Sequence, residues 1–220
     1  MHLRLFHWFV RPLLKLPVTP NQVTAVRLVL GIASGFFFAG GDYAHYLTGG
    51  ILFELSLLLD NLDGEIARAR GLQTRWGERF DLVADVITTA SFYIGLAVGL
   101  TRDEPWRGWW PWYGAGGLAG YLLLSLIVWF EKRNGFGPAV HHAPHPQELQ
   151  HVSWRHHLLS ALSRADVPGL TLLFCIIDKQ GIALIIAAIC PQVLWISHLL
   201  LHAKYLFRKS PASRQAPEPI

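Results

Sequence analysis

Apolar runs recur along this chain, several of them close to twenty residues long, and runs of that length leave few folds open. Residues 22–39, 43–59, 80–100, 112–130, 166–177 and 182–207 are dominated by Leu, Ile, Val, Phe, Ala and Gly. A helix of about 20 such residues crosses the ~30 Å hydrocarbon core of a bilayer. It also satisfies its own backbone N–H and C=O groups, which hydrocarbon requires. The expected fold is therefore an all-α membrane protein with six transmembrane helices. Charged residues make up only 15% of the chain, against about a quarter in soluble domains. The second span is expected to run on past residue 59 to residue 70. The fifth is short for a bilayer unless it begins near residue 158, and Pro191 is a natural kink in the sixth.

The flanks are different in character. Residues 1–16, MHLRLFHWFVRPLLKL, mix bulky apolar and basic residues and read as an amphipathic helix lying on the membrane surface. Basic residues run through this whole segment, so no cleavable signal peptide is expected. Thr19-Pro20-Asn21 then supplies helix-start signals. The expected organisation is a juxtamembrane helix at 1–18, a six-span domain at 19–207 and a mobile tail at 208–220. Cys175 and Cys190 lie in apolar runs and read as core residues.

Orientation follows from the basic residues. With both termini cytoplasmic, sixteen of the 19 Lys and Arg lie inside, and only Arg102, Arg107 and Lys179 lie outside. The Trp-rich loop at 106–112 suits the outer interface. No basic stripe interleaved with aromatics suggests a nucleic-acid partner. The net charge of +4 suits an anionic membrane surface or an anionic substrate.

One segment is out of place among apolar spans. Residues 60–85 read DNLDGEIARARGLQTRWGERFDLVAD. On a helix, Asp60, Asp63, Gly64 and Ala67 fall within about 100° of arc, and Asp81 and Asp85, four apart, share a face of the next helix. Two such helices side by side aim four carboxylates into one cleft. Beside a bilayer that is costly unless the cluster holds cations. Carboxylate oxygens suit hard divalent cations such as Mg²⁺ or Mn²⁺. Leu62 breaks the alternation that a calcium loop of the EF-hand type needs. Glu54, the lone acid inside the second span, reads as a buried interhelical group. His141, His142, His145, His151, His156 and His157 read as an exposed loop rather than a zinc site.

This segment resembles the signature of the CDP-alcohol phosphotransferase family, D-x2-D-G-x2-A-R-x8-G-x3-D-x3-D. Asp60, Asp63, Gly64, Ala67, Arg68, Gly77, Asp81 and Asp85 fill every position without a gap. The resemblance covers about residues 19–207. It implies a membrane enzyme of the EC 2.7.8 type that moves a phosphatidyl or similar group from a CDP-alcohol, such as CDP-diacylglycerol, to an acceptor hydroxyl, and releases CMP. The acceptor classes are a polyol, a polyol phosphate, a serine-like molecule or a lipid alcohol. Asp60, Asp63 and Asp81 are then the main ligands of two divalent ions. The resemblance implies that Asp85 is the general base and touches a metal as well. Gly64 and Ala67 let a nucleotide approach the second helix closely, and Arg68 offers a fork of donors to phosphate. By similarity Thr74, Gly77, Asn21 and Thr24 also face the CDP moiety.

Arg164 and Arg155, with Lys132 and Arg133, are candidates for an acceptor phosphate. Their ordinary role is anchoring at headgroups. The resemblance further implies a homodimer, while the distribution of basic residues places the acidic motif on the cytoplasmic side. Gly31, Ser34 and Gly35 are expected to permit close helix packing, and Gly114, Gly116, Gly117 and Gly120 to do the same or to form a dimer face. The competing reading is a non-enzymatic scaffold or transporter that keeps the acids for cation binding. Asp85, Arg68 and both motif glycines together argue against it.

Overall fold

A computed structural model of the chain describes residues 18–102, 107–134 and 167–208. The expected surface helix at 1–16, the His-rich segment, Arg155, Arg164 and the tail beyond 208 lie outside the described residues. Six helices are described: α1 (Pro20–Gly40), α2 (Tyr43–Ala69), α3 (Arg75–Leu100), α4 (Trp110–Asn134), α5 (Val167–Ile176) and α6 (Gln180–Arg208).

Their ends follow from local chemistry. Pro20 opens α1, and the Thr19 amide donates to Gln22 Oε1 at 2.9 Å. Gly41, at φ 76°, closes α1 in the left-handed region, which a residue bearing a Cβ rarely adopts. Asp42 then caps α2, accepting from the His45 amide at 3.0 Å. That amide, aided by the His45 ring, holds the Asp42 carboxyl below its ordinary range. Gly71, at φ 63°, turns the chain out of α2. Helix α3 begins at Arg75, five residues before the sequence reading placed it. The Thr74 hydroxyl accepts from the Gly77 amide at 3.0 Å and so starts the helix in polar sequence.

Among the described residues, four helical segments are long and apolar enough to cross a bilayer: Pro20–Gly40, Arg75–Leu100, Trp110–Phe130 and Gln180–Ser197. The other two of the six expected spans differ for separate reasons. Helix α2, with 27 residues, reaches about 40 Å, but His45, Glu54 and the motif's acids dilute its apolar character. Helix α5 has 10 residues, or about 15 Å. Helix α6 continues through Pro191.

The chain divides into two compact units. One comprises 1–118 with 166–188, and the other 119–165 with 189–220. In the first, α1 lies between α2 and α3. Gly31 and Gly35 of α1 face Thr88 and Ser91 of α3, while Gly95 and Gly99 of α3 press on the backbone of Gly35 and Phe38. Two small-xxx-small motifs thus meet, and the helices approach to backbone contact. Gly50 of α2 packs on Leu172 and Cys175 of α5. An aromatic core of Phe38, Phe53 and Phe92 fills the middle, with Phe53 stacked on Phe92 at 4.6 Å between centroids. The Tyr93 hydroxyl donates to the Ala187 carbonyl at 2.6 Å.

The glycines of α4 behave differently from a dimer face. Gly114 and Gly117 pack on Tyr93 inside the first unit, and Gly120 packs on Gln192 inside the second. Only Gly116 among these four meets open space.

Candidate functional site

The site forms where the motif end of α2, the start of α3 and the first turns of α1 converge. Along α1 it lies about 16 Å from the Phe38 cluster, eleven residues at 1.5 Å each. Val23, Leu62 and Ile66, with Leu59 beside them, form an apolar floor next to it. The Ser56 hydroxyl donates to the Arg27 carbonyl at 2.8 Å and fixes the register of α2 against α1. Arg70 donates to the Val18 carbonyl at 2.6 Å and ties the end of α2 to the approach to α1. These contacts position the acids before any ligand is considered.

Three of the four aspartates bring their oxygens together. Single oxygens of Asp60, Asp63 and Asp81 lie within 4.8 Å of one another. Asp63 is the most buried of the four, and the Thr24 hydroxyl donates to its Oδ2 at 2.7 Å. Asp60, Asp81 and Asp85 keep 34%, 44% and 38% of their side chains exposed. They therefore line an opening that a ligand can enter.

The centre of the cluster is a residue the motif does not contain. Arg27, on α1, is 1% exposed. Its Nε donates to Asp63 Oδ2 at 3.3 Å and its Nη1 to Asp85 Oδ1 at 2.9 Å. Its Nη2 reaches Asp81 Oδ1 at 2.5 Å, the Asp81 carbonyl at 3.1 Å and Asp60 Oδ1 at 3.2 Å. One guanidinium thus touches four carboxylates from two helices. With the acids ionised the cluster carries a net charge of −3, a strong attraction for divalent cations. A cation already sits among these oxygens in the form of the guanidinium, and the donors are hard carboxylates. The donor set fits Mg²⁺ or Mn²⁺.

The other expected site residues surround this centre unevenly. Gly64 lies under the Arg68 guanidinium, since a Cβ there would stand 3.3 Å from Nη1. Arg68 is exposed and Ala67 half-buried. Thr24 faces Asp63 directly and is buried. Asn21, Thr74 and Gly77 form a separate group at the rim: a Cβ on Gly77 would stand 3.1 Å from Thr74 Oγ1 and 3.2 Å from Asn21 Oδ1. Thr74 spends an acceptor on capping α3. Asp85 joins the cluster through Arg27 and stands outside the close oxygen group of the other three. Sequence reasoning missed Arg27. A charged residue inside the apolar run Ala25-Val26-Arg27-Leu28-Val29 was the available signal.

A family model described as CDP-alcohol phosphatidyltransferase matches residues 17–191. A bifunctional IPC transferase and DIPP synthase of Thermococcus kodakarensis is 38% identical over 119 residues, which are 54% of this chain and 25% of that protein. An archaetidylinositol phosphate synthase of Pyrococcus horikoshii is 30% identical over 89 residues, 40% of this chain and 46% of that one. The chain thus spans between a quarter and just under half of these relatives. A crystal structure of Mycobacterium tuberculosis phosphatidylinositol phosphate synthase in complex with manganese and citrate shares the fold. It has a TM-score of 0.62 and 19% identity, over 96% of this chain and 92% of that one.

Proposed function

The chain belongs to the CDP-alcohol phosphatidyltransferase family, and on that footing we propose that it transfers a phosphatidyl-type group from a CDP-alcohol to an acceptor hydroxyl, releasing CMP. The observation that carries the proposal is the gathering of Asp60, Asp63 and Asp81 into one close carboxylate group, with Asp85 joined to it through the Arg27 guanidinium, at the junction of three helices. A scaffold has no need of four carboxylates crowded this closely.

The chemistry divides among the residues. Asp60, Asp63 and Asp81 are the ligands for Mg²⁺ or Mn²⁺, with Asp85 adjoining. When bound, such ions neutralise the diphosphate and stabilise the attacking and leaving oxygens of the displacement. Gly64 and Ala67 leave room for the nucleotide, and Arg68 holds a phosphate oxygen. Thr24, Asn21, Thr74 and Gly77 border the CDP side. Asp85 accepts the proton of the acceptor hydroxyl on a carboxylate oxygen. The acceptor oxygen then bonds to the phosphorus that carries the alcohol, and the bond from that phosphorus to the CMP oxygen breaks.

The protein is an integral membrane protein of the family's all-helical kind. We read six passes, both termini in the cytoplasm and a cytoplasmic site, supported by the sixteen-to-three distribution of basic residues. CDP-diacylglycerol is the proposed donor. A polyol phosphate is the proposed acceptor, in line with the inositol phosphate products in the names of two of the proteins compared. Arg155 and Arg164 are proposed for its phosphate. Assembly as a homodimer is carried over from the family resemblance, and cross-linking in membranes tests it.

The test is CMP release by the purified protein, given CDP-diacylglycerol, Mg²⁺ or Mn²⁺ and a panel of polyols, polyol phosphates, serine and lipid alcohols. Metal-dependent CMP release with one acceptor, and a product lipid of matching mass, is expected. No CMP from any pairing would refute the proposal.

A further inference from the structure

We propose that Arg27 is the resident counter-ion of the aspartate cluster, clasping α1, α2 and α3 together when the carboxylates carry no metal, and that divalent cations bind by taking carboxylate oxygens from it. The inference rests on the reading that Asp60, Asp63 and Asp81 hold such cations.

The contacts are those of a group filling the centre of the cluster. Arg27 is buried to 1% exposure and meets one oxygen of each of the four aspartates between 2.5 and 3.3 Å. Its Nη2 bears two hydrogens yet faces three acceptors: Asp81 Oδ1, the Asp81 carbonyl and Asp60 Oδ1. That corner is overcommitted, so it is the corner most readily surrendered. The oxygens around it come from two of the three residues that form the close carboxylate group. A metal ion and a guanidinium centred on the same oxygens compete for lone pairs and repel each other.

Headgroup anchoring does not explain this residue. Its side chain points into the cluster, and its neighbours in sequence are apolar. A buried charge in such a helix is tolerated where it is paired, and every nitrogen of this one is paired. The backbone of Arg27 has its own anchor in the Ser56 hydroxyl at 2.8 Å. Truncating the side chain therefore leaves the α1–α2 register one of its ties.

Two consequences of opposite sign follow. Without Arg27 the metal-free cluster holds four carboxylates and no counter-charge, so the helices repel. The same loss makes the cluster a stronger ligand for Mn²⁺. A residue that merely shaped the site would weaken both the fold and the metal binding.

The experiment compares wild type, Arg27→Gln and Arg27→Lys, each stripped with EDTA in one detergent. Thermal unfolding is followed without metal, and Mn²⁺ affinity is read from the free-Mn²⁺ electron paramagnetic resonance signal. Arg27→Gln should melt about 5 °C or more below wild type without metal. It should bind Mn²⁺ at least about tenfold more tightly, and Mn²⁺ should restore its midpoint. Arg27→Lys, which keeps the charge and loses the fork, should fall between. An Arg27→Gln protein that can be purified only with Mn²⁺ present supports the counter-ion role. Equal or weaker Mn²⁺ affinity in Arg27→Gln, or an unchanged metal-free midpoint, overturns the inference. A wild type that binds no Mn²⁺ sinks the metal reading itself, whereas wild-type binding matched by the variant sinks only the exchange.

Discussion

Replacing Gly95 by alanine probes the seam that brings α1 and α3 together above the site. A Cβ at Gly95 would stand 2.8 Å from both Cα and C of Gly35, and nearer still to its carbonyl oxygen. Carbon atoms in contact sit about 3.5–4.0 Å apart, so the helices must part by roughly 1 Å. Both partners are backbone, and no rotamer change relieves the clash. Overpacking costs about 1–3 kcal/mol, and backbone against backbone belongs at the upper end. Alanine recovers at most about 1 kcal/mol over glycine through helix propensity. The net expectation is a loss of about 1–2 kcal/mol, or a midpoint lower by about 2–8 °C for a chain of this size. Gly116→Ala is the internal control. Its Cβ would meet nothing within 4 Å, so this variant should equal wild type or exceed it by up to about 1 kcal/mol. The assay is thermal unfolding of the three proteins in one detergent. Turnover per folded Gly95→Ala molecule should fall as well, because an error of about 1 Å in a site can cost up to ~100-fold. Equal midpoints for Gly95→Ala and Gly116→Ala would refute the seam argument.

Further outcomes are expected at the site. Asp85→Asn should abolish CMP release while leaving metal-dependent CDP binding within a few-fold of wild type; matched loss of both removes Asp85 as the base. Asp81→Asn or Asp60→Asn should raise the Mn²⁺ concentration needed for half-maximal activity, and an unchanged metal dependence counts against ligation. Thr74→Ala removes the cap of α3 and should cost about 1 kcal/mol of stability, with Thr74→Ser restoring most of it; no change in the midpoint would show that the cap contributes nothing.

The aspartates were legible because helical spacing is arithmetic. Asp60 and Asp63 share one face of α2, and Asp81 and Asp85 share one face of α3; the spacing does not show that α1 lies between those helices and that its Arg27 joins the two faces. The helices were legible from apolar run length. The start of α3 was not, since Arg75, Glu78 and Arg79 look like loop until Thr74 is seen capping them. Arg27 escaped because a basic residue near the start of a span has an ordinary explanation in headgroup anchoring. Glu54, deeper in its span, drew the suspicion that Arg27 merited. Sequence periodicity states which face a residue occupies but not which helix that face meets. For the same reason the sequence left Gly114 and Gly117 open between close helix packing and a dimer face, and the fold sets them in packing against Tyr93.

The most direct measurement is an anomalous difference map from crystals grown or soaked with Mn²⁺. The account predicts density among the carboxylates of Asp60, Asp63 and Asp81, with the Arg27 guanidinium drawn back from Asp60 and Asp81. Mn²⁺ density elsewhere on the chain, with Arg27 still seated among all four acids at saturating metal, would contradict it.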